Sequence, residues 1–212
     1  MNLYSKNITD QQAEYVQKVQ DLSSLSVFVE PTCPAVIWTR QVPPETQSWI
    51  NQLNPKLLPN CRKLLRTSDA RKTIKEIFSI SKTPCSTGLA WLTQDITCLT
   101  EFFSSLMKVN FVRLRLNVLS TDSCRKPHVD AISGRLICTY RGTGTQYGFS
   151  TDGGDPKSFL TTPTGSPILF RGTLWPENPF LGLLHRSPPI EGSGETRFVL
   201  VIDPIIDPEN EG

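Results

Sequence analysis

The chain has little of what marks several common functional classes. Its six cysteines (33, 61, 85, 98, 124 and 138) form no C-x-x-C pair, so a zinc ribbon or a thioredoxin-type dithiol has no support. Lys and Arg number 22 against 20 Asp and Glu, a formal net charge of +2 with no basic block, so the footprint of a nucleic-acid binder is missing. No apolar run approaches the roughly 18 residues that read as a membrane span. The opening Met1-Asn-Leu-Tyr-Ser-Lys-Asn lacks the basic-then-apolar layout of a signal peptide, and a cytoplasmic location with reduced thiols is the expectation. There is no G-x-S-x-G nucleophile elbow. Gly142-Thr-Gly-Thr145 has no Lys after it and no βα unit around it, which excludes a P-loop. Histidine is nearly absent too. His128 and His185 are the only two, so there is no choosing among candidate imidazoles.

What is present fits a globular protein: 38% hydrophobic and 20% charged residues in a length of 212 suit one domain, or a core with a helical extension. Residues 1–110 read as a mostly helical part that packs on the core, and residues 111–206 as the β core itself, the two forming one compact domain. Residues 10–24 are polar and read as a helix. Val27 to Trp38 holds two short strand candidates. Pro43-Pro44-Glu45 opens a helix to about Leu53, since Pro is tolerated in a first turn. Thr67 or Ser68 can cap a helix that runs through Ile80. From Gly88 to Met107, Leu89, Leu92, Ile96, Leu99, Phe103 and Leu106 form one apolar stripe at helical spacing, suited to packing on the protein's own sheet. From Phe111 the period changes to two. Arg113, Arg115 and Asn117 alternate with Leu114, Leu116 and Val118, and Arg135, Ile137, Thr139 and Arg141 alternate with Leu136, Cys138 and Tyr140. Three more strands cover 167–171, 182–185 and 196–202. The fold class expected is mainly β, a double-stranded β-helix (jelly roll, cupin-like) with an N-terminal helical layer.

His128-Val-Asp130 is an H-x-D unit, and alternation on an extended chain turns both side chains to one face. His185, 57 residues on, can complete a facial triad. Two imidazoles and one carboxylate leave coordination positions open, the ligand set of non-haem Fe(II) oxygenases. Arg197 follows twelve residues after His185 in a strand-like run. Its planar fork suits a buried carboxylate. Arg113, Arg115 and Arg135 stand in apolar surroundings, where one or two of them can line a pocket for an anionic substrate.

The order H-x-D, distal His, then Arg resembles the Fe(II)/2-oxoglutarate dioxygenase superfamily. That resemblance implies His128, Asp130 and His185 as metal ligands and catalytic centre, and Arg197 as the holder of the far carboxylate of 2-oxoglutarate. Thr139 and Tyr140, on a neighbouring strand, are candidates to add a hydroxyl to that cosubstrate. Halogenating relatives carry a small residue in place of the carboxylate, so Asp130 argues against halogenation. Cys124-Arg-Lys-Pro-His-Val-Asp130, Cys138-Thr-Tyr-Arg-Gly-Thr-Gly-Thr145, Gly172-Thr-Leu-Trp-Pro176, His185-Arg-Ser-Pro-Pro-Ile190 and Gly194-Glu-Thr-Arg197 resemble a bacterial family known as domain of unknown function 1826. That family implies no established activity, but its association with zinc homeostasis makes zinc an alternative to Fe(II). The expected function is an Fe(II)/2-oxoglutarate-dependent oxygenase of a small, anionic substrate, with no nucleic-acid or membrane partner. The alternatives are a non-catalytic zinc- or iron-binding jelly roll linked to metal homeostasis, and a metal-dependent oxidase that does not use 2-oxoglutarate.

Overall fold

A computed structural model describes residues 15–150, 152–176 and 182–210. In chain order the elements are β1 (Val16–Val19), β2 (Ala35–Trp38), α1 (Pro44–Gln52), β3 (Cys61–Arg66), α2 (Ala70–Ile80), α3 (Thr87–Met107), β4 (Phe111–Leu119), β5 (Gly134–Arg141), β6 (Gln146–Phe149), β7 (Leu160–Thr161), β8 (Ile168–Arg171), β9 (Leu183–Arg186) and β10 (Arg197–Ile205). Seven strands form one sheet in the order β1-β2-β8-β5-β10-β4-β3, and three form a second in the order β7-β6-β9. The fold is mainly β and jelly-roll-like, with a helical layer on the outer face of the larger sheet.

Alternation decides what each face of the larger sheet meets. Leu114 and Leu116 of β4, Leu136 and Cys138 of β5, and Phe198, Leu200 and Ile202 of β10 are fully buried under the helices. From α3, Leu92, Ile96, Leu99 and Phe103 come down on them, the middle of the stripe read in the sequence. Ser86 starts that helix by accepting a hydrogen bond from the Leu89 amide. Ile137, Val199, Val201, Ile168 and Phe170 point the other way and pack with Tyr147 and Leu183 of the smaller sheet. The space between the two sheets holds the polar site. No helix among the described residues is long and apolar enough to cross a membrane.

The N-terminal part departs from expectation. Residues 10–14 lie outside the described residues, and Val16–Val19 form a parallel edge strand on β2 where a helix was expected. Val27-Phe28-Val29 belongs to a 3-10 turn, not a strand. Cys61–Arg66, which has no clear apolar pattern, is the opposite edge, antiparallel to β4. Its Arg and Lys side chains suit an edge that must not recruit another strand. The first 110 residues thus supply three strands as well as the helices, and the sheet runs through the expected boundary.

Tyr140 is a second correction. Its side chain lies in the layer under the helices, and its hydroxyl donates to Asp95 Oδ2 at 2.6 Å. It stands on the face of β5 opposite the site, so it contacts no cosubstrate there. Arg141, which simple alternation would put on the face of Arg135, turns to the helical side as well, because the β5–β10 register shifts between Phe198 and Val199. Arg141 Nη1 donates to the Leu53 carbonyl at the end of α1. A β-bulge of this kind breaks simple alternation.

Asp95 of α3 also receives both Nη atoms of Arg40, at 2.5 and 2.6 Å, and the Arg40 guanidinium lies 4.2 Å from the Trp38 ring centroid. Removing one partner of a buried pair leaves an uncompensated charge. Asp95→Asn should therefore lose about 3–5 kcal/mol of folding stability, read by urea unfolding. A loss under about 1 kcal/mol, the value of an exposed pair, would contradict this packing.

Candidate metal centre

His128 and His185 come together through their backbones before their rings meet. Each amide donates to the other's carbonyl at 3.0 Å, an isolated antiparallel bridge beside β9. The ring centroids lie 4.6 Å apart. His185 pairs with Tyr147 of β6 and stacks on Phe170 of β8, centroid to centroid 4.5 Å, so both sheets fix its position. Asp130 closes the group. Its Oδ2 is 3.1 Å from His185 Nε2, and its Oδ1 is 3.6 Å from His128 Nε2. One ligand atom from each residue lies within 4.8 Å of the others.

The electrostatics suit a cation. Burial works to raise the Asp130 carboxyl, but the two histidines and the Arg135 charge outweigh it and hold it well below the usual carboxylate range. Burial pushes His185 down, toward the neutral imidazole that a metal needs, against the pull of Asp130. His128 is raised, chiefly by Asp130, which at 3.6 Å is a charge contact longer than a hydrogen bond. His128 Nδ1 contacts the Lys126 carbonyl at 2.8 Å, so Nε2 is the nitrogen turned toward Asp130. Asp130 Oδ2 is buried without a hydrogen-bond partner. A carboxylate that turns one oxygen toward each imidazole, and whose Oδ2 accepts no hydrogen bond, fits a divalent metal ion, and both Fe(II) and zinc accept this donor set.

Arg197 opens β10 on the face between the sheets, and only 2% of it is exposed. Its Nε donates to the Thr143 carbonyl at 2.6 Å, and its Nη2 stands 3.4 Å from Thr139 Oγ1. Glu195 holds the Thr143 loop by accepting from its amide and its hydroxyl. Gly142, with φ of +78°, starts that loop where a side chain would press on Glu195 and Arg197. No carboxylate among the described residues is within ion-pair distance of Arg197, and burial pushes its guanidinium down to about 10. One cavity of about 100 Å3 is lined by His128, His185, Arg197, Arg115, Arg135 and Val199, among others. Thr139 touches Arg197 and does not line that cavity. Arg113 shares the strand face but does not line it either.

A sequence profile for the family described as "Protein of unknown function (DUF1826)" matches residues 19–203. The chain belongs to this family. No curated protein matches it in sequence. In fold it is similar to the dioxygenase for auxin oxidation of rice, with a TM-score of 0.52 at 12% identity over 92% of this chain and 84% of that one. It is also similar to dioxygenase for auxin oxidation 1 of Arabidopsis thaliana, solved as a binary complex with 2-oxoglutarate, with a TM-score of 0.53 at 8% identity over 92% and 93% of the two chains. This DUF1826 chain therefore shares its fold with the two dioxygenases for auxin oxidation.

Two supports of the site are not evident from residue types. Asp203, deep in β10, accepts from Arg135 Nε at 2.6 Å and from Arg115 Nη2 at 2.9 Å, while Arg135 Nη1 reaches Asp130 at 2.5 Å. Arg135 thus ties the triad to the sheet; that it lies opposite an acid six residues beyond Arg197 could have been read only from the strand register. Gly172 is the other. The chain after β8 lies against the 130–133 turn through Gly172 N to Ser133 O, Thr173 N to Asp130 O and Leu174 N to Ile132 O, at 2.9–3.0 Å. A Cβ at 172 would collide with the Ile132 carbonyl oxygen and stand 2.6 Å from that of Asp130. The Gly172→Ala variant should move Asp130 and weaken metal binding by about 10- to 100-fold, as disturbed supports of a metal ligand do. Competition against a chelator measures it, and unchanged affinity would contradict this role of Gly172.

Proposed function

We propose that the protein is an Fe(II)/2-oxoglutarate-dependent oxygenase, of hydroxylase type, acting on a small, anionic substrate. One observation carries the reading: a single cavity has the two histidines of the triad on one wall and a buried guanidinium with no carboxylate partner on another. Metal and diacid would be held from opposite ends. The shared fold supports the reading, as does the 2-oxoglutarate found with the Arabidopsis protein.

When bound, Fe(II) supplies O2 reduction coupled to decarboxylation of a 2-oxo acid and oxidation of the substrate. The chain's own residues do the remaining work. His128, Asp130 and His185 would be its three protein ligands. Arg197 takes the far carboxylate of 2-oxoglutarate through two parallel, charge-assisted hydrogen bonds. The Thr143 carbonyl and Thr139 hydroxyl hold its fork in place before the ligand arrives. Ile137, Val199 and Val201 give the cavity an apolar floor that limits water near the reacting atoms. All six thiols are free, which suits work in the cytosol.

Ligand linkage tests the reading. Protein loaded with redox-inert zinc should be stabilised against unfolding by 2-oxoglutarate, by about 2.7 kcal/mol at one hundred times Kd, and should unfold at a higher temperature. Metal-free protein should gain far less. No stabilisation of the zinc form at millimolar 2-oxoglutarate would overturn the proposal and leave a metal-binding role without the cosubstrate.

A further inference from the structure

Arg115 is the unexplained charge in the cavity. It sits on β4 opposite Val201, four residues along β10 from Arg197, or about 13 Å at the usual strand rise. The intervening floor is Asn117 and Val199, themselves a pair across the two strands. Arg115 reaches Asp203, which Arg135 ties to Asp130, so it stands toward the triad and away from Arg197.

The local charges do not balance without a further anion. Arg115, Arg135, Arg186 and Arg197 all line the cavity, and the carboxylates tied to them are Asp130 and Asp203 alone; Arg186 instead donates its Nε to Gln146 and lies over the Phe159 ring. Asp203 spends most of its capacity on Arg135, which reaches it with Nε and Nη2, and gives Arg115 a single contact at 2.9 Å. Arg115 Nε is buried and has no hydrogen-bond partner. Its side chain nevertheless keeps 26% exposure, toward the cavity. A divalent metal would offset Asp130 and the near carboxylate of 2-oxoglutarate, and the far carboxylate would offset Arg197. Two guanidinium charges remain: Arg186, whose planar group is taken up by Gln146 and Phe159, and Arg115. The entrance has the same sign: the cavity shares Ser123, Cys124 and His128 with an outer depression of about 430 Å3 that Arg125 and Lys126 line.

We propose that Arg115 is the substrate-recognition residue, holding a carboxylate of the oxygenase's primary substrate, which is therefore an organic acid. The proposal rests on the oxygenase reading for the word substrate, but the subsite itself does not. Arg115 presents Nη1 to the acid while Nη2 stays on Asp203, so the guanidinium is oriented before binding. A neutral analogue leaves that donor unpaired, which is how such a site rejects it.

The test uses butyrate as probe and butyramide as its uncharged control, followed by ligand-observed NMR on zinc-loaded protein, with and without saturating 2-oxoglutarate. Butyrate should bind in the presence of 2-oxoglutarate and butyramide should not. In Arg115→Gln, which keeps an N–H for Asp203 without the charge, butyrate should bind on the order of tenfold more weakly, the loss of one charge-assisted hydrogen bond. Affinity for 2-oxoglutarate should stay unchanged. Arg115→Lys keeps the charge and should recover part of the butyrate binding, which serves as the decisive comparison if the Gln variant does not fold. Equal butyrate affinity in wild type and variants, or none in 2-oxoglutarate-saturated wild type, overturns the proposal. If 2-oxoglutarate itself fails to bind while butyrate still depends on Arg115, the oxygenase reading falls and the acid subsite stands.

Discussion

His128→Ala should bind no stoichiometric metal while keeping its fold. The variant removes one of three ligands and leaves two, too few to hold a divalent ion against water and buffer. The fold has little reason to suffer, because the His128 side chain is partly exposed and the bridge to His185 is made by backbone atoms that Ala retains. Stability of the metal-free variant should stay within about 1 kcal/mol of wild type. Elemental analysis after gel filtration reads the first quantity and thermal unfolding the second. One equivalent of metal retained by the variant would mean that the ion is held elsewhere.

The second large effect belongs to Arg197. Arg197→Lys keeps the positive charge but loses the planar fork and some reach. Its 2-oxoglutarate affinity should fall by the roughly 2–5 kcal/mol that truncating one partner of a buried, hydrogen-bonded charge pair costs. Metal affinity should barely change, since Arg197 is no ligand and its contacts are Thr143 and Thr139. Titration calorimetry of both proteins with 2-oxoglutarate, with metal content measured alongside, separates the roles. Equal affinity in the two proteins would release Arg197 from this one.

Much of the site is legible in the sequence because the chain offers so few alternatives. With two histidines only, His128-Val-Asp130 and His185 had to be the candidates, and the alternation of β4, β10 and the first part of β5 turned Arg115, Arg197 and Arg135 to one face. The same alternation assigns Tyr140 to the helical side, which is where its hydroxyl meets Asp95, so its expected cosubstrate role went against the pattern. Arg141 could not be placed in this way, because a bulge is a matter of pairing and not of composition. Edge strands were harder still. Val16–Val19 buries one residue fully and Cys61–Arg66 likewise, so neither carries the apolar signal of a central strand. The salt bridges of Asp203 depend on which strands neighbour β10, and strand order is set by the whole sheet. Gly172 shows the opposite case. It stands out in the Gly172-Thr-Leu-Trp-Pro string, but its reason, two chain segments in close approach, exists only once the H-x-D turn is folded against β8.

The most direct measurement of the central claim is an anaerobic titration of Fe(II)-loaded protein with 2-oxoglutarate, followed in the visible spectrum. If His128, Asp130 and His185 hold the iron with adjacent positions free, and Arg197 anchors the far carboxylate, a weak charge-transfer band of a chelated 2-oxo acid should grow and saturate at one equivalent. His128→Ala should show no band, and Arg197→Lys should show it only at much higher 2-oxoglutarate. A fully iron-loaded wild type that develops no band would contradict the account and leave the triad as a metal-binding site without the dioxygenase chemistry.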